Sequence, residues 1–405
     1  MSLIVLAYSG GLDTSVLLKK LILDGHSVIA MTADLGESDG VAGQRAGDEL
    51  ERVRQKALAL GAYDAVLIDA RERFVSDYVM PALHANAKYQ GVYPLSAALS
   101  RPLIGTLLVE TAKSFGATTV AHGCTGKGND QVRIELAVRA LDPALEVRAP
   151  LRESPMSRPS AMAFASEHGI PIAHSLAKPY SIDANLWGRS IEAGILEDPW
   201  NAPPEDAYAW TAAPEKRPVH ADEIVISFQL GLPSYDGLVG AAMIAALNAK
   251  AGLHGIGRID MIEDRVIGVK SREVYEAPGA TVLLAAHRAL EHLVLTRDEQ
   301  RFKALCDQRY AELTYDGLWM SPLRDGLDAF NAVCSERMTG DVRLALQNAN
   351  VTVTGSRSPF GLYDESLATY GSGDTFDHHA ATGFITLHGL PLERLARQRQ
   401  LAYTT

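Results

Sequence analysis

Ala7-Tyr8-Ser9-Gly10-Gly11-Leu12-Asp13-Thr14-Ser15 is the stretch on which the fold turns. Before it runs Leu3-Ile4-Val5-Leu6, an apolar segment of the length of a buried strand. After it, residues 16–23 carry a helical pattern. A strand that ends in a glycine turn and reopens as a helix presents backbone N–H groups and a helix dipole to an anion. Two adjacent glycines let the backbone approach a phosphate, and Ser9, Thr14 and Ser15 add hydroxyl donors. The loop has no Walker-type lysine and no G-x-G-x-x-G spacing, so neither the P-loop nor the dinucleotide fingerprint applies.

The surrounding chain repeats the rhythm. Residues 3–7, 28–33, 65–69, 118–121 and 147–149 read as short strands; 16–23, 49–60, 74–88, 102–115 and 160–168 read as helices. Gly25, Gly61, Gly116 and Gly169 stand where helices stop. Alternation of this kind predicts an α/β domain over 1–172, a doubly wound parallel sheet with ligands beyond the carboxyl ends of its strands. From 173 to 370 the pattern becomes α+β. A Pro-rich loop at 198–204 is followed by a strand at 223–230, a small-residue helix at 239–252 and a hairpin over 258–270. Helices at 283–293, 298–310 and 322–336 and strands at 342–346 and 351–353 complete it. Residues 371–405 form a C-terminal tail with an amphipathic segment at 390–401, whose pattern suits either an oligomerisation tail docked on another subunit or a frayed terminus.

Composition narrows the class. At 405 residues the chain is long enough for two cores. A formal charge of −11, from 38 Lys and Arg against 49 Asp and Glu, argues against a nucleic-acid partner. The longest charge-free apolar stretch, around 238–247, is roughly half a membrane span, so no membrane partner is expected. Three separated cysteines suit reduced thiols in a cytoplasmic protein.

A second loop specifies the chemistry: His122-Gly123-Cys124-Thr125-Gly126-Lys127-Gly128-Asn129-Asp130-Gln131-Val132-Arg133. By itself Gly-Lys-Gly-Asn-Asp is a surface turn. Read with the first loop, with Tyr93-Pro94-Leu95, Ser100-Arg101-Pro102, the run from Pro179 to Ser190 and the run from Lys270 to Gly279, it resembles the argininosuccinate synthases. These belong among the N-type (HUP) ATP pyrophosphatases.

The resemblance implies ATP-dependent ligation of citrulline and aspartate through a citrullyl-adenylate, with release of AMP and pyrophosphate, in arginine biosynthesis. It assigns ATP to Ala7, Tyr8, Ser9, Gly10, Gly11, Leu12, Asp13, Thr14, Ser15, Ala33 and Gly123. Citrulline falls to Tyr93, Asn129, Arg133, Ser181, Ser190, Glu263 and Tyr275, and aspartate to Thr125, Asn129 and Asp130. Asp13 and Lys127 are the candidate catalytic residues, with Mg2+ accompanying ATP and no dedicated metal-ligand set. A homotetramer is implied. The residue types agree with these tasks, since Arg133 can pair with a carboxylate and Glu263 can accept from an ammonium.

Three departures stand out. Ser96-Ala97-Ala98 lacks the family's usual hydroxyl, the stretch after Asp34 is lengthened, and Cys124 replaces an alanine. Cys124 reads either as a small, inert residue filling an alanine-sized space or, beside a lysine and a helix start, as a thiol that ionises readily. Two alternatives stay open at this point: another ATP pyrophosphatase, such as a tRNA-thiolating or amide-forming enzyme, or an ATP-binding protein without turnover.

Overall fold

The computed structural model describes residues 2–36, 45–171 and 180–402. Residues Met1–Phe360 form one compact unit and Gly361–Thr405 another.

The first unit begins with a five-stranded parallel sheet in the order β3-β2-β1-β4-β5. Its strands are β1 (Leu3–Ala7), β2 (Ser27–Asp34), β3 (Asp64–Asp69), β4 (Thr119–Ala121) and β5 (Glu146–Arg148). Helices α1 (Leu12–Leu23), α2 (Arg45–Ala59), α3 (Arg71–Phe74), α4 (Met80–His84), α5 (Ser96–Phe115), α6 (Asp130–Leu141), α7 (Pro150–Glu153) and α8 (Arg158–Glu167) surround it. Successive side chains of a strand point to opposite faces. Ile4 and Leu6 therefore pack with Val16, Leu17 and Leu21, while Val5 packs with Leu103 and Leu107. Both faces of β1 are covered, which is the doubly wound arrangement that its apolar run predicts.

Several helices differ in extent from expectation, and α6 was not among those read. The helix read at 74–88 starts at Arg71, passes through a π turn at Val75–Val79 and ends at His84; Asn86 then takes φ +41. The helix read from Pro102 begins six residues earlier, at Ser96, with Pro102 inside it. Proline at a helix start is the usual expectation because the ring fixes φ and removes a donor. Here α5 is buried along most of its length, and packing overrides that rule.

Two antiparallel sheets follow in the same unit, ordered β10-β11-β7-β6 and β13-β12-β8-β9. The first comprises β6 (Ser181–Asn185), β7 (Gly188–Glu192), β10 (Arg258–Asp264) and β11 (Lys270–Glu276). The second comprises β8 (Asp222–Gln229), β9 (Leu232–Ser234), β12 (Gly340–Gln347) and β13 (Asn350–Arg357). Helices α9 (Gly240–Leu253), α10 (Pro278–Val294), α11 (Arg297–Tyr315) and α12 (Pro322–Ser335) accompany them. Ile224, Ile226, Phe228, Val342, Leu344 and Leu346 alternate along β8 and β12 into the main core with α9 and α10. The β6–β7 hairpin had no strand pattern in the sequence, because Ser181 and Ile182 are exposed and its inward positions are polar.

The second unit holds α13 (Glu365–Ala368) and α14 (His378–Ala402). Phe384, Ile385, Leu387, Leu392 and Leu401 are all exposed on α14.

Candidate active site

The first loop leaves β1 where the chain crosses between its neighbours β2 and β4, the switch point of the parallel sheet. Gly10 adopts φ +76, and a Cβ there would lie 2.8 and 2.9 Å from the two methyls of Val53. Only glycine fits that turn. The loop is tied on every side. Tyr8 N–H donates to Met31 O at 2.8 Å, Thr32 Oγ1 donates to Tyr8 O at 2.7 Å, and Lys56 Nζ donates to Gly10 O at 2.8 Å. Tyr8 OH and Ser15 Oγ lie 3.1 Å apart, as do Ser9 Oγ and Thr14 Oγ1. Asp13 is exposed in the first turn of α1, Leu12 and Ala7 are half-buried, and Gly11 is the exposed N-cap. Ala33 is half-buried near the end of β2, on the same edge of the sheet.

The second loop leaves β4, which pairs directly with β1. A Cβ on Gly123 would lie 3.2 Å from Thr14 Cγ2, so the two loops abut. Behind them, Glu135 meets His122 Nε2 at 3.3 Å and is also bonded by Arg152; His122 Nδ1 accepts from Cys124 N–H at 3.2 Å. Donation from His122 is the main cause that holds the Glu135 carboxyl down at about 2. Gln131 Nε2 braces the turn through Gly126 O at 2.7 Å and Gly128 O at 3.2 Å. Thr125 and Lys127 are exposed on it.

Across from the loops stands the β6/β7/β10/β11 sheet, and its register places the remaining candidates together. Asp183 opposes Ser190, Ser190 opposes Tyr275, and Ser181 opposes Glu192. On the next strand Glu263 opposes Ser271. Directly paired residues and their i±2 neighbours share a face. Ser181, Asp183, Ser190, Glu263 and Tyr275 therefore all lie on one side. The other side carries Ile191 and Val274, which pack with Leu196 and Ala207.

Against the polar face lie α5 and α6. Arg133, buried on α6, donates through Nε to Tyr315 O at 2.9 Å and through Nη1 to Asp130 Oδ1 at 3.2 Å. Its buried Nη2 has no hydrogen-bond partner. Glu263 accepts from both Tyr275 OH and Tyr315 OH, the latter at 2.6 Å, and burial pushes its carboxyl above the usual range despite those donors. Tyr93 stacks on Tyr275 with centroids 4.0 Å apart. Asn129 donates from Nδ2 to Tyr315 OH at 2.9 Å and accepts at Oδ1 from Val266 N–H at 2.9 Å. Ser190 Oγ lies 3.4 Å from Asp183 O.

Sequence reading singled out neither Arg101, Asp183, Tyr315 nor Arg265. Arg101 Nη2 sits 2.9 Å from Asp130 and 2.7 Å from Asp183. Burial works to raise Asp130, but Arg101 and Arg133 outweigh it and hold that carboxyl low, whereas burial dominates at Asp183 and raises it. Arg265 joins Glu192 at 3.0 Å and Glu273 at 2.8 Å, and reaches Lys127 O at 3.2 Å. Of these four, Arg101 and Asp183 had a local signal, the Ser-Arg-Pro motif and the run from Pro179 to Ser190.

Two departures gain a physical account. Tyr93 OH accepts from Ala97 N–H at 2.9 Å and lies 3.4 Å from Ser96 Oγ, while Ser100 Oγ donates to Ala97 O at 3.0 Å. The two serine hydroxyls are thus engaged within α5 and its entry. Of the two readings of Cys124 the structure favours the inert one: burial, and then the charge of Asp130, push its thiol up to about 12, with Arg101 opposing. The lengthened stretch after Asp34 falls largely on 37–44, outside the described residues.

The family model for the "Arginosuccinate synthase N-terminal HUP domain" matches residues 3–171, and that for the "Arginosuccinate synthase C-terminal domain" matches 180–395. The argininosuccinate synthase of Geobacillus thermodenitrificans is 54% identical over 391 residues, covering 96% of this chain and 94% of that protein. Those of Geobacillus kaustophilus and Anoxybacillus flavithermus are 53% and 52% identical, each over 96% of this chain and over 94% and 95% of their own lengths. With both halves matched and more than half of the residues shared, the chain belongs to the argininosuccinate synthase family.

Proposed function

We propose that this chain ligates citrulline and aspartate to argininosuccinate, converting ATP to AMP and pyrophosphate, as a step of arginine biosynthesis. The observation that carries the reading is the buried Arg133 Nη2 without a protein partner, across a tyrosine from the Glu263 carboxylate. A buried guanidinium donor and a buried acceptor on either side of one tyrosine suit an α-amino acid, whose carboxylate and ammonium answer them. Tyr93 and Tyr275 form a flat wall beside them, with Ser181, Ser190 and Asn129 as the hydrogen-bonding contacts of citrulline. Thr125, Asn129 and Asp130 take aspartate on the side of the second loop.

ATP lies along Ala7–Ser15, Ala33 and Gly123, with Lys127 facing phosphoryl charge. The ureido oxygen attacks the α-phosphorus and pyrophosphate leaves. The aspartate amine then attacks the activated carbon, loses a proton and expels AMP. Positioning and charge stabilisation supply the rate, with no covalent protein intermediate. Among the described residues no group of three or more His, Cys, Asp or Glu could cage a metal. Asp13, exposed on the first loop, is the residue that would help hold an Mg2+ brought by ATP, and the ion would supply shielding of phosphate charge.

The same reading divides the chain into a nucleotide-binding part (1–172), a synthetase part (173–370) and a tail. The apolar side chains exposed on α14 suit burial against other copies in a cytoplasmic homotetramer. No helix among the described residues is long and apolar enough to cross a membrane.

The test follows oxygen. Citrulline labelled in the ureido group, incubated with ATP and aspartate, should deliver its label to AMP. Label in inorganic phosphate, or no turnover at all, would overturn the proposal.

A further inference from the structure

Tyr315 is the last residue of α11, fully buried, and none of the substrate assignments above uses it. Its atoms nevertheless meet three of the groups assigned to citrulline, Asn129 and Arg133 at the start of α6 and Glu263 on β10. Its carbonyl accepts from Arg133 Nε at 2.9 Å, and its ring lies under the Arg133 guanidinium, 4.8 Å from the centroid. Its hydroxyl donates to Glu263 Oε2 at 2.6 Å and accepts from Asn129 Nδ2 at 2.9 Å. Tyr89 stacks on the ring with a centroid separation of 3.4 Å and an interplanar angle of 5°. Two residues on, a Cβ at Gly317 (φ +78) would lie 3.0 Å from Arg133 Cα, so the chain leaving α11 presses directly on α6.

Donor counting fixes the direction of every bond. A tyrosine hydroxyl has one proton, which goes to Glu263, so the same oxygen accepts from Asn129. Asn129 is then held with Nδ2 toward Tyr315 and Oδ1 toward Val266 N–H, its amide orientation set without ambiguity. One Nδ2 hydrogen remains, together with a lone pair on each Glu263 oxygen and the Arg133 Nη2 donor. Those are the groups a bound amino acid would use.

We infer that Tyr315 is a positioning residue that sets the spacing and orientation of Arg133, Asn129 and Glu263, and so the affinity and selectivity for the amino-acid end of citrulline. The inference rests on the proposed citrulline pocket. It adds that the pocket's geometry is imposed from α11 rather than by the residues that touch substrate.

Tyr315→Phe tests this while retaining the ring, both aromatic contacts and the carbonyl. Loss of a hydrogen bond to a charged group predicts a citrulline KM raised about tenfold or more, with the KM for ATP within about twofold of wild type. A second readout separates positioning from mere support. Glu263 must be ionised to receive an ammonium, and donation from Tyr315 favours the ionised form. Removing the hydroxyl therefore moves the acid limb of kcat/KM for citrulline upward, by about half a pH unit or more. The other groups facing Glu263 are Tyr275, Arg133, Arg265, Glu273, Tyr89 and Tyr93, all unchanged in the variant. Equal loss for citrulline and ATP, or an unmoved acid limb, would overturn the inference. Direct binding of labelled citrulline to wild type keeps the two claims apart. No binding there rejects the pocket itself, whereas normal binding in both proteins rejects only the role of Tyr315.

Discussion

Gly10 and Val53 leave no room between them: a Cβ on the glycine would meet Val53 Cγ2 at 2.8 Å while the backbone holds φ +76. Val53 lies on α2, one turn before the lysine that bonds Gly10 O. Gly10→Ala adds both a clash and left-handed strain, together about 1–3 kcal/mol. The KM for ATP should rise about tenfold or more, with citrulline binding spared. Gly123→Ala should be milder, because its Cβ would stand 3.2 Å from one methyl of Thr14 and no positive φ is involved. Initial-rate kinetics of pyrophosphate release compare the two. Equal effects would mean that the first loop is not the nucleotide's main seat.

Arg133 offers the sharpest test of the citrulline pocket. Arg133→Ala should weaken citrulline by about 2–4 kcal/mol, since it removes a buried guanidinium and leaves Asp130 with Arg101 alone. Ser181→Ala, at an exposed strand position, should cost less, about 1–2 kcal/mol. ATP affinity should stay near wild type in both. Unchanged citrulline Michaelis constants in the pair would misplace the pocket.

The fold was legible wherever local pattern and core agreed. β1 occupies the residues its apolar run indicates, because Ile4, Val5 and Leu6 are each needed by a core on one face or the other. The β6–β7 hairpin escaped because its inward positions, Asp183 and Ser190, are polar and erase the apolar alternation. For Tyr315 the reason is distance. It meets Arg133, 182 positions away, and Glu263, 52 positions away, and no local spacing encodes such contacts. Arg265 escaped similarly: its turn reads as a solvated hairpin tip until Lys127 O is brought to 3.2 Å.

At Cys124 the burial argument replaces the electrostatic one. With its thiol pushed up to about 12, only a trace is thiolate at pH 8. Iodoacetamide should modify Cys124 slowly between pH 7 and 9, and MgATP should change that rate little. Peptide mapping after timed exposure reads this directly. Rapid labelling of Cys124 with parallel loss of activity would contradict it.

The last prediction concerns a buried charge cluster away from the pocket. Lys303 Nζ lies 2.6 Å from Asp307 and 3.1 Å from Glu291, and Asn86 donates to both carboxylates at 3.0 and 2.7 Å. His287 stacks near His84 and bonds Asn86 Oδ1 at 3.0 Å; burial pushes its own protonation well down. One ammonium thus serves two carboxylates, and burial raises Asp307 to about 6. An aspartate titrates near 3.9 when unfolded, so the folded state holds this proton more tightly. The stability it contributes is complete below about pH 4, declines as pH rises toward 6, and is gone above; the span is about 2–3 kcal/mol. Asp307→Asn should remove that slope from urea midpoints measured between pH 4.5 and 7, and should be neutral or stabilising at pH 7. Lys303→Met should do the opposite, destabilising by about 3–5 kcal/mol, because it leaves Glu291 and Asp307 buried without a cation. A slope that survives in Asp307→Asn would mean that Asp307 is not its source.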